Sequence, residues 1–345
     1  MDILHNAPLK SHNTFGIDVR AKALARFNSV EQLRELLAHP GLQELPRLVL
    51  GGGSNVLFTR DWPGVVLLNE VEGISATPDG PDHMIVSAGA GTVWHAFVTH
   101  CVANGWGGVE NLSLIPGRVG AAPMQNIGAY GVEIKDTFHH LEALRISDGE
   151  VVRFSKDECR FGYRESYFKR EGKDKYVILR VAFRLSTAPL VNVSYGSIKQ
   201  ELQKRGIERP TIAQVSEAVI AIRSSKLPDP LALGNAGSFF KNPVVPATMA
   251  EAIKANIPDL VVYPGAEGEV KLAAGQLIEK AGWKGFKQAH TDGRTGGFGV
   301  HTDQALVLVN HGRSTGAEVY DLSTRILESV KDLTGVDLER EVNIL

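Results

Sequence analysis

The residues able to do chemistry in this chain are gathered in short clusters. The first is Gly51-Gly-Gly-Ser-Asn-Val-Leu57, which follows the apolar run Leu48-Val-Leu50. Three glycines let backbone amides approach a phosphate unobstructed, and Ser54 and Asn55 add hydrogen-bonding groups. The same run also reads as a plain tight turn. It is not a dinucleotide fingerprint, because Val56 stands where the last glycine belongs and no helix signal follows. No Gly-Lys-Ser/Thr follows either, which excludes a Walker loop. The second cluster, residues 111–131, runs from Asn111 through Ile115-Pro-Gly117 to Gln125-Asn-Ile-Gly-Ala-Tyr-Gly131 and is almost free of charge. A solvated loop would be charged. This one reads as irregular backbone wrapped round something polar but uncharged, such as a flat heteroaromatic ring, or as a structured loop without a ligand.

The remaining clusters each offer one reactive group. Arg164, in Phe161-Gly-Tyr-Arg-Glu-Ser-Tyr167, is either a surface cation at a turn or a stacked guanidinium able to stabilise an anion. Arg223 and Lys226 lie at the end of a helical pattern, where cations are favoured in any case and a diphosphate is equally well served. Ser238, in Gly237-Ser-Phe-Phe-Lys-Asn-Pro243, sits beside two aromatics. No Gly-x-Ser-x-Gly elbow exists, so it is no acyl-transfer nucleophile, but a hydroxyl in a tight apolar site can donate a proton. Glu341 lies in an alternating run, where spacing alone makes it a solvated carboxylate on a strand. The 11 histidines and two cysteines show no metal spacing, so no metal centre is expected.

These clusters must be held by elements of both kinds. Strands are expected over 47–50, 65–68, 84–87, 141–146, 151–154, 177–185 and 305–310. Ser29-Val-Glu-Gln32 opens a helix with Leu33, Leu36 and Leu37 as its stripe, and a helix over 92–103 carries Val93, Phe97 and Cys101. Helices follow over 197–205 and 211–225, and Leu227-Pro-Asp-Pro230 marks a domain boundary. Capping boxes at Thr248/Glu251 and Thr315/Glu318 open two more helices, the second with Val319, Leu322, Ile326, Val330 and Leu333 inward. Residues 285–299 read as a long exposed loop.

Composition sets outer bounds. At 345 residues the chain should form two or three domains. A net charge of −2 argues against broad nucleic-acid or polybasic membrane binding. No apolar run approaches a membrane span, the start lacks a signal-peptide pattern, and Cys101 and Cys159 read as free thiols. The expected setting is therefore the cytoplasm. The 36 glycines exceed the usual share of about 7%, and the excess lies in the clusters above.

Taken in order, the clusters resemble one family, the UDP-N-acetylenolpyruvoylglucosamine reductases (UDP-N-acetylmuramate dehydrogenases) of bacterial cell-wall synthesis. The resemblance rests on Asn13-Thr-Phe-Gly16, Gly51 to Leu57, Ile115-Pro-Gly to Gly131, Tyr163-Arg-Glu-Ser166, Lys226-Leu-Pro-Asp-Pro230, Gly237 to Pro243 and Gln304-Ala-Leu-Val-Leu-Val-Asn310. Val193-Ser-Tyr195-Gly looks like the tyrosine loop of the family's longer type. The resemblance implies an α+β protein with a vanillyl-alcohol-oxidase-like FAD-binding fold and non-covalent FAD. Residues 1–70 with 329–345 would form the first part of the FAD-binding region, 71–227 the second, and 228–328 a substrate-binding domain. NADPH would reduce the flavin, which then passes a hydride to the enolpyruvyl vinyl group of the UDP-sugar.

Carried over residue by residue, Ser238 would protonate the adjacent carbon, while Arg164 and Glu341 would stabilise the charge that the hydride leaves behind. Tyr195, Lys226, Asn242 and Gln304 map onto substrate contacts. Gly51, Gly52, Gly53, Ser54, Asn55, Val56 and Leu57 would cradle the FAD pyrophosphate. Gln125, Asn126, Ile127, Gly128, Gly131 and Arg223 would line the flavin. The partners implied are the UDP-sugar and NADPH, with no nucleic acid and no membrane, and a monomer is expected. Two departures stand out: the family's Pro-Glu-Val-Arg reads Arg340-Glu-Val-Asn343 here, and the stretch before Gly297 is longer than usual. The alternative on the same fold is an FAD-dependent oxidase of small alcohols or sugars, which leaves Lys226, Asn242 and Tyr195 without purpose. A catalytically dead flavin or nucleotide binder is the other alternative, against which Arg164, Ser238 and Glu341 argue.

Overall fold

Alternating burial along Tyr176–Ser186 builds the largest sheet: Val177, Leu179, Val181, Phe183 and Leu185 are all buried, with Ile178 and Ala182 buried on the other face. The computed structural model describes residues 2–345. It divides into two compact units, one formed by residues 2–7, Ala21–Gly52 and Pro63–Ser225, the other by Pro8–Arg20, Gly53–Trp62 and Lys226–Leu345.

The first unit holds two sheets. One is antiparallel, in the order Val151–Ser155, Phe138–Arg145, Tyr176–Ser186, His83–Gly89, Ile74–Pro78. The hairpin expected around Ser147-Asp148-Gly149 joins its first two strands. The other sheet runs Ile3–Pro8, Arg20–Phe27, Trp62–Asn69, Arg47–Leu50, its last pair parallel. Helix Val30–Ala38 covers it through Leu33 and Leu36, and Ser29 caps that helix by accepting from the Gln32 amide. A shared core of Phe27, Leu33, Leu36, Leu67, Leu144 and Leu179 joins the two sheets. Helix Trp94–Ala103 buries Trp94, Phe97 and Cys101. Val93, expected on that stripe, is instead the exposed N-cap, and Trp94 takes the buried position. Helices Gly196–Lys204 and Ile212–Lys226 pack together through Ile198, Leu202, Val215 and Val219. Cys101 and Cys159 are buried free thiols, and burial pushes Cys159 up to about 12.

The second unit is built from short strands and helices. Val244–Pro246, Glu269–Leu272 and Val262–Pro264 form one small sheet; Lys287–Gln288, Phe298–Val300 and Leu308–Asn310 form another. Residues 285–299 are therefore not only loop, because both ends of the stretch are strand. Helix Gly316–Thr334 opens with the expected Thr315/Glu318 capping box and ends at Gly335 in the left-handed conformation. Its Leu333 is exposed rather than inward, lying in the last turn beyond the buried stripe. The other expected box fails: helix Ala247–Lys254 starts after Pro246, which places Thr248 inside it. The tail keeps the expected alternation of buried Val336, Leu338 and Val342, but only Asn343–Ile344 is regular strand, parallel to Val56–Leu57. Among the described residues no helix is long and apolar enough to cross a membrane.

Candidate active site

In the first unit the glycine-rich clusters converge. A Cβ on Gly52 would lie 3.0 Å from Gly117 Cα, and one on Gly51 would lie 3.5 Å from Arg118 Cβ. Backbone therefore meets backbone where Gly52 faces Gly117, closer than a Cβ ordinarily packs, while Gly51 stands at ordinary contact distance from the Arg118 side chain. Residues 111–131 are irregular as expected, with short 3-10 turns at Glu110–Leu112 and Val119–Gln125 and left-handed Asn126 and Tyr130, but only partly buried: Pro116, Ala121, Met124 and Gly131 are exposed. Asn111 Nδ2 donates to Tyr130 O at 3.2 Å and Asn192 O at 2.9 Å, while its buried Oδ1 has no protein donor. Thr92 Oγ1 is likewise buried and unpaired.

Arg164 settles its two alternatives in favour of the stacked one. It is half-buried, its Cζ lies 5.4 Å from the Tyr163 ring centroid, and Nη2 donates to Gly128 O at 2.8 Å. Ser166 Oγ donates to Met124 O at 2.7 Å, so Arg164 and the 124–128 backbone are held as one piece. Asn126 is fully buried, and its side chain is committed to Glu133, Gly162 and Lys135. What it offers a ligand is backbone, held in place by that side chain. Gln125, Ile127 and Gly128 are half-buried beside it, and Gly131 is exposed.

Arg223 Nε donates to Leu114 O at 3.2 Å, and burial lowers its affinity for a proton while Tyr130 opposes that. Burial raises the Tyr130 phenol, and Arg223 pulls it the other way. Tyr130 meets Tyr195 edge to face, with ring centroids 5.3 Å apart. Tyr195 is partly exposed. Tyr130 lies within the Gln125–Gly131 run that the sequence singled out, but its contact with Arg223 and Tyr195 could not be read from spacing.

The second unit gathers another group. Residues 238–242 run between two neighbours: Phe239 N donates to Leu306 O at 2.7 Å, and Glu341 N donates to Phe239 O at 2.8 Å. Bridges Ser238↔Val307 and Phe240↔Arg340 flank those bonds. Ser238 and Glu341, 103 positions apart by number, are therefore on adjoining rungs. Phe239 and Phe240 are fully buried and Ser238 is half-buried, a hydroxyl at the edge of an apolar core. Asn242 Oδ1 accepts from the Ala274 amide at 3.0 Å, and the residue is half-buried. Gln304 Oε1 accepts from Leu306 N at 3.3 Å, in the same segment that pairs with Ser238. Lys226 is exposed at its helix end.

Gly53, Ser54, Asn55, Val56 and Leu57 also belong to the second unit. Gly53 has φ +62°, and a Cβ there would fall 2.0 Å from His12 O, so no other residue fits. Asn343 N and Nδ2 both donate to Asn55 O, at 3.1 and 2.9 Å, and Asn55 Nδ2 donates to Glu341 O at 3.4 Å. Asn343, standing where the family pattern has arginine, thus ties the tail to the glycine turn. Among the described residues no group of three or more His, Cys, Asp or Glu is placed to hold a metal ion.

The donor set fits FAD. The 111–131 segment, with Arg118 as its one charged residue and a buried Asn111 acceptor lacking a protein donor, suits a flat ring edged with N–H groups. A family model described as an FAD binding domain matches residues 21–155, so the chain falls in the class of FAD-binding proteins. A second, described as the C-terminal domain of UDP-N-acetylenolpyruvoylglucosamine reductase, matches residues 229–345. The chain is 52% identical to the UDP-N-acetylenolpyruvoylglucosamine reductase of Pseudomonas aeruginosa, over 100% of this chain and 99% of that one. It is 51% identical to the Chromobacterium violaceum protein of the same name, over 98% and 97%. The crystal structure of the Thermus caldophilus UDP-N-acetylenolpyruvylglucosamine reductase superposes with a TM-score of 0.65 at 25% identity, covering 99% of this chain and 98% of that one. This chain belongs to the UDP-N-acetylenolpyruvoylglucosamine reductase family, and its α+β FAD-binding fold is the one the sequence led us to expect.

Proposed function

We propose that this chain reduces the enolpyruvyl group of UDP-N-acetylenolpyruvoylglucosamine to UDP-N-acetylmuramate at the expense of NADPH, as a step in peptidoglycan precursor synthesis. Bound FAD supplies the two-electron carrier between NADPH and the vinyl carbon. The observation that carries the reading is the backbone pairing of residues 238–241 with 306–307 and 339–341, which supports a shared site for Ser238 and Glu341.

Each residue has a distinct task. A hydride added to one vinyl carbon leaves negative charge spread into the neighbouring carboxylate. Arg164, with its guanidinium beside the Tyr163 ring and tied to Gly128 O, carries fixed positive charge for it. Glu341 shares in holding that charge, and Ser238 delivers the proton to the adjacent carbon. Tyr195, Lys226, Asn242 and Gln304 recognise the UDP-sugar; the exposure of Tyr195 and Lys226 supports their parts. Residues 51–57 hold the pyrophosphate of FAD, and Gln125, Asn126, Ile127, Gly128, Gly131 and Arg223 line its ring.

By this reading the first unit holds most of the FAD-binding region, and residues 228–328 bind substrate. The terminal residues 329–345 return to the first seventy through the pairing of Asn343–Ile344 with Val56–Leu57. We take the enzyme to act as a cytoplasmic monomer. Purified protein should carry a flavin spectrum and consume NADPH only when the UDP-enolpyruvyl sugar is added. Peroxide production from small alcohols, with no NADPH consumption on the sugar, would instead make it an oxidase.

A further inference from the structure

The tail that carries Glu341 is gripped at its preceding residue by a built network. Arg340 lies over the Tyr320 ring, its Cζ 4.3 Å from the centroid. Its Nε donates to Ser323 Oγ at 2.7 Å and its Nη2 to Thr324 Oγ1 at 2.6 Å. Both hydroxyls in turn donate to Tyr320 O, at 2.6 and 3.2 Å. Their protons are thereby turned away and their lone pairs face the guanidinium. Tyr320, Ser323 and Thr324 all lie on helix Gly316–Thr334, and the Arg340 backbone bridges Phe240. A planar fork with two oriented acceptors and an aromatic face beneath it leaves the arginine little freedom.

From this geometry we propose that Arg340 is the positioning residue for Glu341. It locks the tail to the helix on one side and to the Ser238–Asn242 segment on the other, and so sets where the Glu341 carboxyl stands. The inference rests on the proposed role of Glu341 in the sugar half-reaction. Arg340 touches no reacting atom in this account. A displacement on the scale of 1 Å at a reacting group costs on the order of 100-fold in rate, and the lock prevents one.

The test separates the two half-reactions by anaerobic stopped flow. Arg340→Met keeps an unbranched apolar stem over Tyr320 and removes the fork. It should slow the sugar half-reaction by roughly 10- to 100-fold and leave the NADPH half-reaction within about twofold of the parent. Arg340→Lys, which retains charge and stacking, should recover part of the loss. In a Glu341→Gln background, Arg340→Met should add little, because two residues acting through one group do not add. An unchanged sugar half-reaction in Arg340→Met overturns the inference, as does an equal fall in both half-reactions. If Arg340→Met does not fold, Thr324→Val removes one acceptor and leaves the arginine. It should slow the same half-reaction, and equal rates there overturn the inference too. Glu341→Gln alone keeps the layers apart: if it leaves the sugar half-reaction untouched, the reading of the site fails. If it slows that step while Arg340→Met does not, only the positioning role fails.

Discussion

His140 Nδ1 accepts from Arg153 Nη2 at 3.0 Å and lies 2.7 Å from His139 Nδ1. Arginine can only donate, so that nitrogen of His140 carries no proton. Burial first, then Arg153 and His139, push its pKa down to about 4 from 6.5. The sign follows from proton binding. Between pH 4 and 6.5 the unfolded chain holds more protons at this site, so the stability it contributes is complete above about 6.5 and lost as pH falls through that window. NMR titration of the ring should give a midpoint near 4, moving upward in Arg153→Ala, and a midpoint near 6.5 would contradict this. None of it was legible in sequence, since Arg153 reaches His140 across a strand pair. Arg164 was half legible. Its aromatic neighbours were visible, but the choice between surface cation and stacked guanidinium required Gly128 O, 36 residues away.

At the scale of elements, the signals that held were those with two agreeing parts. Thr315 and Glu318 exchange hydrogen bonds as a full box, Glu318 Oε2 taking the Thr315 amide at 2.7 Å. Thr315→Ala should cost about 1 kcal/mol of stability, read as a lower denaturant midpoint at unchanged slope. An unmoved midpoint would mean that the cap is silent. The Thr248/Glu251 pattern had the same letters but a proline two residues ahead, which already begins the helix. The 285–299 stretch looked like plain loop because its order comes from outside. His290 Nδ1 and Arg294 Nη2 both reach Glu318 Oε1, at 3.1 and 2.8 Å. The tail was legible as alternation, yet its pairing partners at Phe240 and Val56 lie far away in sequence and could not be read from spacing.

For the whole molecule, the clusters were visible in the sequence but their meetings were not. Gly52 facing Gly117 in one unit, and Asn55 holding Glu341 across 286 positions in the other, are products of tertiary folding. A net charge of −2 fits the proposed reading, in which backbone amides and a few placed cations would meet the phosphates. Because FAD binds the folded chain, adding it to the apoprotein at a hundredfold excess over its Kd should stabilise the fold by about 2.7 kcal/mol. A thermal midpoint that does not move would deny the cofactor site.

The central claim is that Ser238 serves the sugar and not the nicotinamide. Anaerobic stopped flow on Ser238→Ala tests it directly. The NADPH half-reaction should proceed at nearly the parent rate, while the sugar half-reaction slows by about 10²- to 10³-fold, the usual loss when an oriented catalytic donor is removed. Equal slowing of both half-reactions would make Ser238 structural and place the proton donor elsewhere.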